Sequence, residues 1–161
     1  MKPTSDIPLS SSLTFNLETA DGLQNVNTIT DKEAYSGNRS CELNGDNEFS
    51  VTYQIPVNDL DKIGIINNIK FSVYVKSDAQ KIDNAKIVLC IVNKDKNDEW
   101  MSQDLTTSEN EIGKWIKKDF EFNVNPQAYS TNNSLLKIYV WNSKKEKFFV
   151  DDLNIQFSGI K

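Results

Sequence analysis

The feature that most constrains this fold is a two-residue alternation of apolar and polar side chains, which recurs along most of the 161-residue chain. In NIKFSVYVKS (68–77), Ile69, Phe71, Val73 and Val75 share one parity, and lysine, serine and tyrosine fill the positions between them. Successive side chains of a strand point to opposite faces, so the pattern predicts strands with one buried face. No segment shows the period of an amphipathic helix.

About ten strands are expected, because turn-rich stretches such as NGDN and NKDKND separate the alternating segments. The alternation predicts strands over residues 13–18, 25–30, 40–44, 49–55, 68–77, 85–93, 99–105, 115–124, 135–141 and 148–157. Strands of this length and spacing favour an all-β fold, an antiparallel β-sandwich or jelly roll. The Pro/Ser-rich residues 1–12 are predicted to be a flexible arm or linker, and residues 13–161 a single β-sandwich domain.

Composition excludes several functions. The net charge of −5 disfavours nucleic acid and anionic membrane surfaces, since both are bound by basic side chains. The chain has no histidine, which rules out a Ser-His-Asp triad and imidazole metal ligands. It has no glycine-rich phosphate loop and no apolar run long enough to cross a membrane. A pair of carboxylates is compatible with a glycosidase, but the acidic residues lie mainly in turns and indicate no deep cleft.

The two cysteines, Cys41 and Cys90, both lie in apolar strand segments outside any metal-binding pattern. Buried, reduced thiols that pack as small hydrophobic groups are the favoured interpretation. A disulfide between them in an exported protein remains open at this stage.

Three separated segments, LETADG (17–22), AYSGNRSCELN (34–44) and VDDLNIQF (150–157), form an ordered set. The set resembles the motifs of galactose-binding-like jelly rolls, the fold of many carbohydrate-binding modules in bacterial polysaccharide-degrading systems. Those modules carry a first-strand "FE", an "A-x-S-G-x-x-S-L" turn and a last-strand "V/I-D-D". The segments LKIYVWNSKKEKFFVDDLNI and GKWIKKDFEF are similar to further strands of such modules. The resemblance covers about residues 13–157.

The resemblance implies a structural calcium ion where the first and last strands meet. Carried over, its ligands would be the carboxylates of Glu18 and Asp152 and backbone carbonyls near Ser36 and Asn38. Calcium prefers several hard oxygen ligands, which this set supplies without His or Cys.

The alternative for the two adjacent aspartates is structural. Strand neighbours point to opposite faces, so at least one of Asp151 and Asp152 is expected to point inwards, where a carboxylate needs a partner. In this alternative Asp151 is exposed, and Asp152 caps a turn or pairs with a lysine such as Lys147. Parity alone does not choose between the aspartates, because a β-bulge at the pair would reverse it.

Aromatic residues at polar strand positions are the candidates for sugar binding, because sugars stack on aromatic faces. Tyr139 and Trp141 share a parity with a lysine, Tyr74 lies between a serine and a lysine, and Trp100 follows a charged turn. If the strands pair as in the resembling modules, Tyr74, Tyr139 and Trp141 line one face. The alternative is that these aromatic side chains pack into the core.

These observations predict a non-catalytic carbohydrate-binding module that recognises a polysaccharide or oligosaccharide. We expect it to work outside the cell, at the cell surface or in the periplasm, attached to or associated with a carbohydrate-active enzyme, its export signal removed. One alternative is a structural or interaction β-sandwich of a larger exported protein without sugar affinity. Another is a small carbohydrate-active enzyme, which would need two carboxylates facing each other across a cleft.

Overall fold

The computed structural model describes residues 8–19, 23–57, 65–94, 96–128 and 134–160, which form eleven strands and three single-turn 3₁₀ helices. No α-helix occurs in these ranges. The strands are β1 (Pro8–Phe15), β2 (Leu23–Gln24), β3 (Ile29–Thr30), β4 (Ser40–Leu43), β5 (Thr52–Pro56), β6 (Ile65–Lys76), β7 (Ala85–Asn93), β8 (Glu99–Leu105), β9 (Ile116–Asn123), β10 (Ser134–Asn142) and β11 (Phe148–Ile160). The 3₁₀ helices are Val26–Thr28, Glu109–Glu111 and Pro126–Ala128.

The strands form two antiparallel sheets, which confirms the predicted β-sandwich. The first sheet has the order β3-β4-β11-β6-β9, and the second sheet has the order β2-β5-β10-β7-β8. The long strand β11 pairs with β4 through Phe148–Val150 and with β1 through residues 153–160. No helix of the described chain is long and apolar enough to span a membrane.

The core lies between the two sheets and follows the predicted parities. Ile69, Phe71 and Val73 of β6 are buried, as are Ile138 and Val140 of β10. Burying these side chains between two sheets removes apolar surface from water, which is the main favourable contribution to folding. The side chains that alternate with these core residues point outwards. They form the outer face of each sheet, which is the face directed away from the other sheet.

Strands β7 and β8 have the predicted bounds, and β2 was not predicted. Seven strands differ from prediction in one or both bounds: β1, β4, β5, β6, β9, β10 and β11. The predicted arm boundary is wrong, because β1 starts at Pro8 and pairs with β11 from the Pro8–Ile160 rung onwards. Residues 1–7 lie outside the described ranges. The predicted strand 25–30 is interrupted, since Asn25 has a left-handed φ of 60° and a 3₁₀ turn follows it.

The two cysteines are free, which answers the question the sequence left open. Cys41 lies on β4 in the first sheet and is fully buried, whereas Cys90 lies on β7 in the second sheet and is partly exposed. Burial raises the pKa of the Cys41 thiol to about 11, so this thiol is protonated at neutral pH.

Candidate functional site

Four aromatic side chains meet on the outer face of the second sheet, and we call Phe49, Trp100, Tyr139 and Trp141 the aromatic platform. Strand alternation places Tyr139 and Trp141 on the same face of β10. Trp100 of β8 lies opposite Cys90 of β7. Phe49 precedes β5 and forms an isolated bridge with Trp141.

The four rings contact one another directly. The centroids of Trp100 and Trp141 are 6.3 Å apart, with an interplanar angle of 78°. Phe49 lies edge-on to Tyr139 at 5.8 Å and nearly parallel to Trp141 at 6.4 Å. The indole nitrogen of Trp100 donates to the Tyr139 hydroxyl at 3.4 Å. These contacts hold rings of different orientation side by side on a sheet, which is a rigid support.

The platform remains open to solvent. Trp100 is 49% exposed and Phe49 is 40% exposed, two of the largest values among apolar residues of the described chain. The indole nitrogen of Trp141 is buried and has no hydrogen-bond partner among the described residues. Trp141 therefore offers a ligand its ring surface, not a hydrogen-bond donor. Adjacent exposed aromatic rings are typical of a binding surface.

A groove of about 560 Å³ runs beside the platform on the same outer face. Phe49 and Tyr139 form its aromatic side. Its other lining residues are Gln24, Asn25, Thr52, Cys90, Val92 and Lys137. Amide, hydroxyl and ammonium groups beside aromatic rings are the combination that binds sugar hydroxyls and sugar faces together. No carboxylate of the described chain lines this groove, so it lacks the acid pair of a glycosidase.

The outer face of the first sheet has a larger groove of about 630 Å³, but its chemistry differs. Polar and charged side chains dominate it, and Lys117 and Asp119 lie 3.9 Å apart within it. The two phenylalanines that border it, Phe71 and Phe120, are buried. It therefore offers no exposed aromatic face for a sugar, and the groove beside the platform is the better candidate despite its smaller size.

The structure brings together three of the four predicted aromatic residues, Trp100, Tyr139 and Trp141. The prediction that Tyr74 shares their face is wrong, because β6 belongs to the first sheet and β10 to the second. Tyr74 stacks instead on Tyr35, with ring centroids 3.6 Å apart.

Phe49 is a platform residue that the sequence pattern does not predict. Its parity in FSVTYQI matches Val51 and Tyr53, which are buried, so the alternation predicts that Phe49 points inwards. Strand β5 begins only at Thr52, however, and the alternation does not extend back to Phe49. The neighbouring Ser50 is buried instead, and its hydroxyl accepts the N–H of Val140 at 2.8 Å. The polar residue is inside because it satisfies a backbone group of β10.

The second candidate region surrounds the glycine turn of the first sheet, and we call Glu18, residues 35–39, Asp151 and Asp152 the acidic turn. Asp151 is fully buried, and one of its oxygens accepts the N–H groups of Tyr35 at 2.9 Å and Ser36 at 3.2 Å. Its other oxygen accepts the N–H of Asp152 at 2.8 Å. Burial raises the pKa of the Asp151 carboxyl to about 6, although these donors oppose the shift.

Glu18 fixes the other side of the same turn. Its two carboxylate oxygens accept the N–H groups of Asn38 at 2.8 Å and Arg39 at 2.9 Å. Gly37 has a φ of 62°, and a Cβ at this position would lie 2.5 Å from the Glu18 carboxyl carbon. Glycine is needed at residue 37 for both the left-handed backbone and the close approach of Glu18.

Asp152 follows at a β-bulge, with a φ of 47° and a register shift between β11 and β6. Its carboxylate accepts the Ser36 hydroxyl at 2.7 and 2.8 Å and remains partly exposed. The structural alternative is wrong in making Asp151 exposed, because Asp151 is the buried one, and Asp152 makes no ion pair with Lys147. The turn contact of that alternative is present, since Asp152 accepts the hydroxyl of Ser36 in the glycine turn.

The oxygen atoms that the acidic turn offers as ligands are compatible with calcium. Within the described ranges no three Asp, Glu, Cys or His side chains form a metal cluster. Glu18 and Asp152 nevertheless direct carboxylate oxygens at one five-residue turn from two sides. Each oxygen has a second lone pair beyond its hydrogen bond, and calcium accepts a mixed set of carboxylate, hydroxyl and carbonyl oxygens.

The architecture, two antiparallel sheets packed as a sandwich, is shared with solved structures of other proteins. No family model and no curated protein sequence matches the chain. Solved structures do match, and those described below are carbohydrate-binding modules with galactose-binding-like jelly-roll folds.

Two xylan-binding domains from Xyn10C of Paenibacillus barcinonensis show the match at full domain length. The chain resembles the CBM22-1 domain with a TM-score of 0.61 at 16% identity, over 97% of either chain. It resembles the CBM22-2 domain with a TM-score of 0.62 at 16% identity, over 89% of this chain and 97% of that domain. A third match is the CBM22-1 module joined to the GH10 module of the Clostridium thermocellum xylanase 10B, solved with xylohexaose, with a TM-score of 0.59 at 18% identity, over 89% of this chain and 28% of that structure. The resemblance in fold confirms the jelly roll expected from the sequence motifs.

Proposed function

We propose that this protein is a non-catalytic carbohydrate-binding module that binds a polysaccharide or oligosaccharide across the aromatic platform. The proposal rests mainly on the cluster of contacting, solvent-exposed rings on the outer face of the second sheet. Folding alone gives no reason to leave Trp100 half exposed, whereas stacking on a pyranose ring requires it.

The resembling structures supply a first ligand class to test. The Paenibacillus domains are xylan-binding, and the Clostridium module was solved with xylohexaose. We therefore propose a β-linked plant polysaccharide such as xylan as the first ligand to examine. The protein would bring an associated carbohydrate-active enzyme to its substrate, outside the cell, at its surface or in the periplasm. The groove has no carboxylate pair among the described residues, which supports a binding role without hydrolysis.

Affinity gel electrophoresis with a panel of soluble polysaccharides, xylan included, tests the proposal. We expect the protein to be retarded by at least one of them, and Trp100→Ala and Tyr139→Ala to weaken retardation about tenfold, because each loses a stacking surface. The matched control is Tyr35→Ala, which removes a ring of similar exposure, 43%, in the acidic turn and far from the platform, on the other sheet. Retardation that depends equally on Tyr35 and Trp100 would contradict the platform as the binding surface. No retardation with any polysaccharide would leave the protein as a structural or interaction domain.

We also propose that calcium binds at the acidic turn, with the carboxylates of Glu18 and Asp152 and oxygens near Ser36 and Asn38 as its ligands. The convergence of the two carboxylates on one turn supports this proposal. The ion would join the start of the chain to β11 and would stabilise the fold without taking part in sugar binding. Because the acidic turn and the platform lie on different sheets, chelation is expected to change thermal stability and not ligand specificity.

A further inference from the structure

The groove beside the aromatic platform contains an ammonium group that lacks an anionic partner. Lys137 lies on the outer face of β10 and is partly buried, and it makes no ion pair or hydrogen bond with any residue that the structure describes. Its cross-strand neighbours are Gln54 on β5 and Cys90 on β7, neither of which carries a negative charge at neutral pH. An ammonium group without a carboxylate beside it can pair with an anionic group of a ligand.

Comparison with the other lysines shows how unusual this one is. Three further lysines of the described chain are partly buried, and each has a carboxylate within 4 Å. Lys76 lies 3.1 Å from Glu33, Lys86 lies 2.7 Å from Asp104, and Lys118 lies 3.3 Å from Glu111. Lys137 alone of the partly buried lysines in these ranges has none.

Lys137 is the one charged side chain that lines the groove among the described residues, in a chain whose net charge is −5. The groove lining within the described residues includes no Asp or Glu. One acidic side chain, Asp98, lies close enough for its charge to act on Cys90 of the lining, and it accepts the N–H of Asn93 at 2.8 Å in the turn before β8.

We propose that Lys137 makes this groove selective for glycans that carry a carboxylate, the uronic acids, over neutral glycans of the same backbone. The proposal rests on the proposed function, since the sugar ring must first stack on the platform. Tyr139 follows Lys137 by two residues on the same strand face, so a sugar on that ring would place a substituent within reach of the ammonium group. A charge-assisted hydrogen bond to a carboxylate is stronger than one to a hydroxyl.

The test compares each polysaccharide with its own carboxyl-reduced form, so that only the charge changes. The probes are glucuronoxylan and polygalacturonan, each before and after reduction of the uronate to the neutral sugar, at low and at high salt. We expect wild-type protein to bind the acidic form about tenfold more tightly at low salt, as for a hydrogen bond to a charged group. The preference should shrink at high salt, which screens the ion pair.

Three variants separate the ammonium group from general charge. Lys137→Gln should abolish the preference while still binding the reduced polymer, and Lys137→Arg should keep it. The matched control is Lys70→Gln, which removes the same charge from the outer face of the first sheet and should leave the preference unchanged. Thermal melting of each variant confirms that it is folded.

The outcomes distinguish this inference from the function on which it rests. Equal binding of acidic and reduced polymers by wild-type protein, or a preference that survives in Lys137→Gln, overturns the uronate inference and leaves the carbohydrate-binding function standing. If Lys70→Gln loses the preference to the same extent, the preference depends on the overall charge of the protein, and the uronate inference is also overturned. Failure to bind either form of any polysaccharide in the full panel overturns both.

Discussion

The aromatic platform and the acidic turn lie on different sheets of the sandwich and differ in chemistry. The platform consists of aromatic rings, and the acidic turn consists of carboxylates and the groups that donate hydrogen bonds to them. In the acidic turn the carboxylates of Glu18, Asp151 and Asp152 accept hydrogen bonds from backbone or hydroxyl groups of residues 35–39 or from their own strand. On the platform the rings contact one another and leave their remaining surface to solvent. The hydrogen bonds within the acidic turn stabilise the fold, and the solvent-exposed rings of the platform are available to a sugar.

Within the acidic turn, Asp151→Ala is expected to cause the largest loss of stability. It leaves the N–H groups of Tyr35, Ser36 and Asp152 without their acceptor, and each buried, unpaired group costs about 1–3 kcal/mol. We expect a loss of about 3–5 kcal/mol in the free energy of unfolding. Chemical denaturation measures it.

The control for this change is Asp104→Ala, which removes an exposed partner of Lys86. An exposed ion pair contributes at most about 1 kcal/mol, so this variant should unfold almost as wild type does. Equal losses in the two variants would show that the acidic turn is no more important to stability than a surface pair.

Gly37→Ala is expected to cost about 3 kcal/mol, because it adds a strained left-handed residue and a clash with the Glu18 carboxylate. Gly113 is a matched control, since it also has a positive φ, 79°, but a Cβ there meets nothing within 4 Å. Gly113→Ala should therefore show the backbone cost alone, about 1–2 kcal/mol. Thermal melting of both variants measures the difference, and a Gly37→Ala protein as stable as Gly113→Ala would mean that Glu18 moves aside freely.

Removal of calcium should lower the melting temperature, with re-addition restoring it. A ligand that binds only the folded state stabilises it by about 2.7 kcal/mol at one hundred times its dissociation constant. Asp152→Ala should abolish the difference between chelated and calcium-loaded protein, while retention on polysaccharide stays unchanged. A melting curve indifferent to chelator, together with elemental analysis that finds no metal, would remove calcium from the acidic turn and leave its hydrogen bonds as the whole explanation.

The smallest expected effect on stability comes from the platform itself. Trp100→Ala should change the free energy of unfolding by less than about 1 kcal/mol, because the ring is 49% exposed, although it weakens sugar binding. Phe157→Ala, which truncates a fully buried ring, should cost about 3–5 kcal/mol. Calorimetric melting compares the two. If Trp100→Ala destabilises the protein as much as Phe157→Ala does, the platform is part of the core and its role in binding is lost.

The two-residue period was enough to predict the architecture, because it depends only on the alternation of side chains along a strand. Strands β7 and β8 have the predicted bounds for this reason, and the outward direction of Tyr139 and Trp141 follows from the same rule. The order of the three motifs also led to a jelly roll, which the fold confirms. These features are local or depend on chain order alone.

Which strand faces share a surface depends on how the strands pair within the two sheets. Parity tells which way Tyr74 and Tyr139 point within their own strands, but the long-range pairing of those strands puts them on opposite sheets. The same pairing brings Phe49 against Trp141, puts Asp151 beneath the glycine turn and leaves Lys137 without a carboxylate among the described residues. Contacts between residues about a hundred positions apart depend on how the whole sandwich closes, and no local period in the sequence carries that information.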